Sequence, residues 1–287
     1  MSAPLSIAEM AHMGFPRGVA DGWLWMLELY LDDTGTHAGS PVVGVGGLIG
    51  TQAQWTSFDA AWKALLREPV PGKPPIRKWS SHDCSHSVNE FAGYNEAERD
   101  LATFGFRKII TDSGLYSASN MIDAIAWKEL VTARFGDKVG TAESIALFAL
   151  IGRLFTWVSS HSEGPKVAIY YDVGRTADSE ILRLTGLLEE YENIIGVSFL
   201  RVVDATPLQG ADMIATEAFW YAKDQIQLGV TEPLRAHFRA YLKENFGRGN
   251  GMILDRAAIQ RDAARRKEDG TLIVTSSSTF WRGQVDL

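Results

Sequence analysis

Apolar and mixed positions alternate from Trp23 to Leu31, and the alternation stops at Asp32-Asp33-Thr34-Gly35. A period of two marks a strand and the acid-Thr-Gly run marks a turn. Val42–Ile49 is β-branched and glycine-rich between Pro41 and Gly50, which predicts a second strand in a hairpin with the first. Thr51 is then placed to cap a helix whose apolar positions Trp55, Phe58, Trp62, Leu65 and Leu66 follow helical spacing. Pro69 to Pro75 holds four prolines and a glycine, which excludes regular structure. The loop is expected to continue through Trp79-Ser80-Ser81-His82-Asp83-Cys84-Ser85-His86.

Beyond it the pattern predicts a helix over Tyr94–Asp112 ending near Gly114, a strand over Leu115–Ile122 and a buried helix over Glu143–Ser159. Val167–Tyr171 is a continuous apolar run ending in Asp172, the pattern of a central strand covered on both faces. Ser179–Glu192 is amphipathic and helical, Val197–Val203 a strand ending at Asp204, and Gln209–Gln225 a helix that opens with Asp212. From Thr231 two more helices are expected, with Pro233 in the first turn of one and Gly247-Arg248-Gly249-Asn250-Gly251 a loop between them. An antiparallel start followed by alternating strands and helices predicts an α/β domain, one mixed sheet flanked by helices, over residues 1–228. Residues 229–287 are expected to form a helical C-terminal extension.

Charge and cysteine usage narrow the function. The 287 residues carry 28 Lys+Arg against 35 Asp+Glu, a formal net charge of -7, which argues against a protein that coats nucleic acid. A polyanion would have to be handled at a local site with help from metal ions. Cys84 is the one cysteine, so no intrachain disulfide can form and a cytoplasmic location is expected. The first 18 residues lack the pattern of a secretory signal. Apolar stretches such as Val42–Ile49 and Ile145–Ile151 fall far short of the roughly 20 residues that span a bilayer, so no membrane partner is expected.

Three acids fall where catalysis in such a sheet is expected: Asp32 at the end of the first strand, Asp172 at the end of the central one, and Asp212 near the start of the last core helix. If the first and fourth strands are neighbours, Asp32 and Asp172 lie side by side. Clustered carboxylates repel and stay ionised when a hard cation holds them. Such a cluster can bind two Mg²⁺ or Mn²⁺ ions about 3.5–4 Å apart and support phosphodiester cleavage. Each acid also has an ordinary reading: a turn at Asp32, a strand end at Asp172, a favourable helix dipole at Asp212.

The motifs around these acids resemble a known family. Tyr30-Leu31-Asp32-Asp33-Thr34-Gly35 is similar to the Tyr-x-Asp-Glu-Ser-Gly opening of the bacterial domain of unknown function 3800, and Gly46-Gly47 to its Gly-Gly. Leu208-Gln209-Gly210-Ala211-Asp212-Met213-Ile214-Ala215 resembles its late Leu-Gln-x-Ala-Asp-x-Ile-Ala motif, and the likeness spans about Leu24 to Lys223. It implies a ribonuclease H-like fold with a five-stranded mixed sheet whose first three strands are antiparallel. It also implies metal-binding roles for Asp32, Asp172 and Asp212, with Asp33 a fourth or supporting acid. Asp33-Thr34 replaces the family's Glu-Ser. Where members carry His-x-x-Asp after the first long helix, Asp83 matches the acid and Ser80 stands in place of the His.

The remaining candidates are weaker. Arg175 could bind a substrate phosphate, cap a helix or pair with Glu180, and His37 could shuttle protons or belong to a solvated hairpin tip. His82, Asp83, Cys84 and His86 form one compact cluster, where structural zinc usually draws four ligands from two places. Glu217 lies roughly 140° around the helix from Asp212 at about 100° per residue, so sharing a metal is not expected. Asp204 precedes a Thr-Pro turn, and Trp79, Trp220 and Trp281 read as core aromatics before base-stacking platforms. Arg261, Arg265, Arg266 and Lys267 read as a solvated helix face before a phosphate-binding one. No Walker loop, dinucleotide fingerprint or Gly-x-Ser-x-Gly elbow is present.

The leading expectation is therefore a metal-dependent phosphodiesterase or nuclease acting on nucleic acid or a nucleotide. The alternatives are a non-catalytic module that binds nucleic acid or a protein partner through its C-terminal basic cluster, and a carboxylate-pair hydrolase acting on sugars.

Overall fold

The structure is a computed structural model that describes residues 26–161, 166–172, 186, 194–202, 205–230, 249–266 and 279–282. The strands are β1 (Met26–Thr34), β2 (Val42–Thr51), β3 (Tyr116–Asp123), β4 (Lys166–Asp172), β5 (Ile194–Leu200), β6 (Gly249–Leu254) and β7 (Thr279–Arg282). The longer helices are α1 (Gln52–Arg67), α3 (Glu96–Asp112), α4 (Ala142–His161), α5 (Thr206–Leu228) and α6 (Arg256–Arg265), with the short α2 (Ser81–His86) between α1 and α3. Apart from residue 186, the expected helix over 179–192 lies outside the described residues, as do the one expected after Thr231 and Trp23.

The class is α/β with a mixed sheet flanked by helices, and the strand order is β5-β4-β1-β2-β3-β6-β7. β4 is parallel to both β1 and β5, β6 is parallel to β3, and β7 is antiparallel to β6. The sheet is thus wider than the five strands expected. The additional strands come from residues 229–287, which were expected to be purely helical.

The chain forms two compact units. One unit takes Met1–Asp32, Gly47–Tyr116 and Val158–Met213; the other takes Asp33–Gly46, Ser117–Trp157 and Ile214–Leu287.

In the first unit an aromatic chain fills the core. Tyr170 stacks on Tyr30 at 4.6 Å, Tyr30 meets Trp55 edge-on, and contact continues through Phe58, Trp62, Phe106 and Trp79 to Phe91. Trp55, Phe58, Trp62 and Leu66 form the buried face of α1, while Leu65 is half-buried. Thr51 caps α1 as expected: its side chain accepts the Gln54 N–H and the Gln54 side chain accepts the Thr51 N–H, so two otherwise orphaned donors are satisfied. Asn95 and Glu98 repeat the device at the start of α3. β5 begins three residues before the expected Val197 and ends at Leu200, where its parallel pairing with β4 stops.

In the second unit β3 is buried throughout, although it carries Ser117, Ser119 and Asn120. Asn120 Nδ2 donates to the Ala146 carbonyl (3.0 Å) and Arg153 donates to the Ser119 carbonyl (2.7 Å). The expected loop at 247–251 is contradicted, because Gly249 and Gly251 lie in β6 opposite Ser117 and Ser119. Small residues meet small residues there, and strand pairing overrides the turn preference of glycine. Gly46 is packed so closely on α5 that an added Cβ would sit 2.6 Å from the Ala215 Cα. Gly35 closes the Asp-Asp-Thr-Gly run at φ +72°, a conformation that favours glycine.

Candidate functional site

The parallel register of β1 and β4 sets Tyr30 against Tyr170 and Leu31 against Tyr171. The paired register ends there, and Asp32 and Asp172 are the next residue of each strand, on neighbouring strands about 4.8 Å apart. Side chains alternate along a strand, so the stacking of Tyr30 on Tyr170 shows that the residues two positions on leave the same face. The same alternation sends Asp33 to the opposite face from Asp32. β1 continues to Thr34, so Asp32 lies within a strand and not at its end as expected. Asp32 is buried at 8% exposure; Asp172 is half-buried and its Oδ1 accepts the Val202 N–H at 3.0 Å.

Asp212 does not open a helix. α5 starts at Thr206 with Pro207 in its first turn, where a missing N–H is harmless, so Asp212 sits in the second turn and the helix-dipole reading of it fails. Its carboxylate is instead held from far along the chain: the Ser81 N–H donates to Asp212 Oδ2 at 2.7 Å.

Ser81 comes from the segment expected to be loop. Ser80 accepts the Asp83 N–H and so caps α2, a helix of six residues that periodicity cannot register. Gln209, three residues before Asp212, sets the position of this segment. Its Oε1 accepts both the Trp62 indole N–H (3.0 Å) and the Trp79 backbone N–H (2.8 Å). Gln209 and Ser81 were missed by sequence reasoning. The signal for Gln209 was a lone amide in an otherwise small and apolar run.

Glu28 was also missed. It is 1% exposed on the same strand face as Tyr30 and Asp32, and its Oε2 accepts the Tyr30 hydroxyl at 2.9 Å. Burial pushes the Glu28 carboxyl above the ordinary range, with the Tyr30 hydrogen bond opposing more weakly. Burial, and then the nearby Glu28 charge, push the Tyr30 and Tyr170 phenols well above theirs.

The other candidates fall elsewhere. His37 is exposed in the turn between β1 and β2, where its carbonyl accepts the Ser40 N–H. Glu217 is buried at 5% exposure in the second unit. Arg175, Glu180, Asp204 and Lys267 lie outside the described residues. Trp79 is a core aromatic, as expected. Cys84 is buried beside Thr103, and burial raises its thiol above the ordinary range. Of the basic cluster, Arg261 and Arg265 are exposed, while Arg266 is buried with its guanidinium 5.6 Å from the centre of the Trp127 ring, so the four do not form one solvated face. Burial accordingly lowers the Arg266 pKa.

Among the described residues, no group of three or more His, Cys, Asp and Glu side chains is gathered so that it could hold a metal ion. Nor is any described helix long and apolar enough to cross a membrane. Comparison with protein-family models, with curated proteins and with solved structures finds no match to this chain.

Proposed function

We propose that the chain is a divalent-metal-dependent phosphodiesterase or nuclease with a ribonuclease H-like core, related to the bacterial domain of unknown function 3800. The observation that carries this reading is the parallel pairing of β1 and β4, whose register runs to Leu31 and Tyr171, the residues just before Asp32 and Asp172. The strand order β5-β4-β1-β2-β3, with β4 parallel to β1 and to β5, supports a ribonuclease H-like arrangement.

Asp32 and Asp172 would hold Mg²⁺ or Mn²⁺; among the described residues, Asp212 is not gathered with them into a three-acid group and would act through the segment that holds it. The donors are all carboxylate oxygens, which suit a hard cation. A bound ion would supply Lewis-acid activation of a water and of the leaving oxygen of a phosphodiester. The protein's own part is orientation. The Val202 N–H fixes Asp172 and the Ser81 N–H fixes Asp212, and hydrogen bonds of this kind hold carboxylates in position for a cation. Asp33, on the other strand face, has no part in this arrangement.

The test is cleavage of labelled single-stranded RNA, single-stranded DNA and an RNA–DNA hybrid with Mn²⁺ or with chelator. Cleavage that depends on Mn²⁺ and is lost in a folded Asp32→Asn variant is the expected result. Cleavage unchanged by that substitution would refute the assignment.

A further inference from the structure

We propose that His82 and His86 form a second metal site, an open two-imidazole chelate on α2 for a transition ion of the Zn²⁺ class. The two lie four positions apart in His82-Asp83-Cys84-Ser85-His86, the spacing by which one helix face presents two imidazoles to one zinc. Both rings are exposed and stack, with centroids 4.4 Å apart and planes 26° from parallel, so one exposed ring must turn for both Nε2 atoms to reach one ion.

Their hydrogen bonds settle which nitrogen is offered. His86 Nδ1 lies 2.9 Å from the His82 carbonyl oxygen, which can only accept, so Nδ1 carries the proton and Nε2 the lone pair. His82 Nδ1 lies 3.3 Å from Asp83 Oδ1, and the same argument leaves its Nε2 as a ligand. Asp83 is itself buried and receives the Asn89 side-chain amide at 3.1 Å, so the carboxylate that orients His82 is held in place. A ligand imidazole whose other nitrogen is bonded to a carboxylate or carbonyl is the usual outer-shell arrangement of metal sites. Cys84, between the two histidines, is turned into the core against Thr103 and does not contribute.

The site is therefore not the closed four-ligand zinc that the sequence argued against. Two protein nitrogens leave coordination positions for water. Nitrogen donors also separate it from the carboxylates of the proposed phosphodiesterase site, since imidazole selects zinc, copper and nickel over Mg²⁺.

Calorimetric titration of ZnCl₂ into the full chain, with Mg²⁺ in large excess, tests the proposal. One Zn²⁺ per chain is expected. His82→Gln and His86→Gln should each weaken it by at least about tenfold, the lower end of what even outer-shell changes cost at metal sites. Both positions are exposed, so neither substitution threatens the fold. Asp32→Asn and Cys84→Ser should bind Zn²⁺ like the parent. Absence of binding in the parent, equal affinity in both histidine variants, or loss in Cys84→Ser would each overturn the site, whatever the cleavage assay shows.

Discussion

Replacing Glu28 by Gln should make stability less dependent on pH, and the sign follows from its surroundings. The folded chain holds the Glu28 proton more tightly than the unfolded chain, because burial raises its pKa above the ordinary 4.5. The folded state then binds more protons than the unfolded state between that value and the raised one. The stability that neutral Glu28 provides is complete below about 4.5 and is lost as pH rises through the folded value. Within that window one such group changes the unfolding free energy by up to about 1.4 kcal/mol per pH unit.

Gln has the shape of the neutral acid and can still accept the Tyr30 hydroxyl, but it does not titrate. Its amide N–H₂ would stand where Glu28 Oε1 has no hydrogen-bond partner, a cost of about 1–3 kcal/mol. The variant should therefore be the less stable protein near pH 4 and should recover against the parent as pH rises. Urea unfolding followed by tryptophan fluorescence from pH 4 to 8 reads the difference directly. A difference that stays constant across the series would refute the reasoning, because it would mean that folding leaves Glu28 unperturbed.

Other substitutions probe the frame. Gln209→Leu removes the acceptor of two N–H groups, those of Trp62 and Trp79, and should cost about 2–6 kcal/mol in chemical unfolding at 1–3 kcal/mol per unsatisfied donor. Gly46→Ala puts a methyl group against the backbone of α5 and should lower stability by about 1–3 kcal/mol, while Gly39→Ala, where nothing lies within 4 Å of the added carbon but φ is +83°, reports the backbone strain alone.

Features set by neighbouring residues were legible in the sequence. The Thr51 cap depends on a residue three positions away, and the buried face of α1 on helical spacing alone. That Asp32 and Asp172 lie on neighbouring strands was foreseeable once the order of strands was guessed, because both acids follow strongly apolar runs. What escaped notice depends on distant partners. Ser81 holds Asp212 from 131 residues away, and Gln209 reaches Trp62 across 147. β6 looked like a loop because its glycines are stabilised by pairing with β3, which local preference does not express. Glu28 was overlooked because an isolated acid in an alternating strand normally faces water; here its face is covered by Trp55, Tyr30 and Tyr170.

The central claim is that Asp32 and Asp172 hold a hard divalent cation, and Mn²⁺ binding followed by electron paramagnetic resonance tests it most directly. The parent should take up Mn²⁺ in competition with Mg²⁺, and Asp32→Asn and Asp172→Asn should each lose that uptake while His86→Gln keeps it. Mn²⁺ uptake that survives both aspartate substitutions, or that is absent from the parent, would contradict the account.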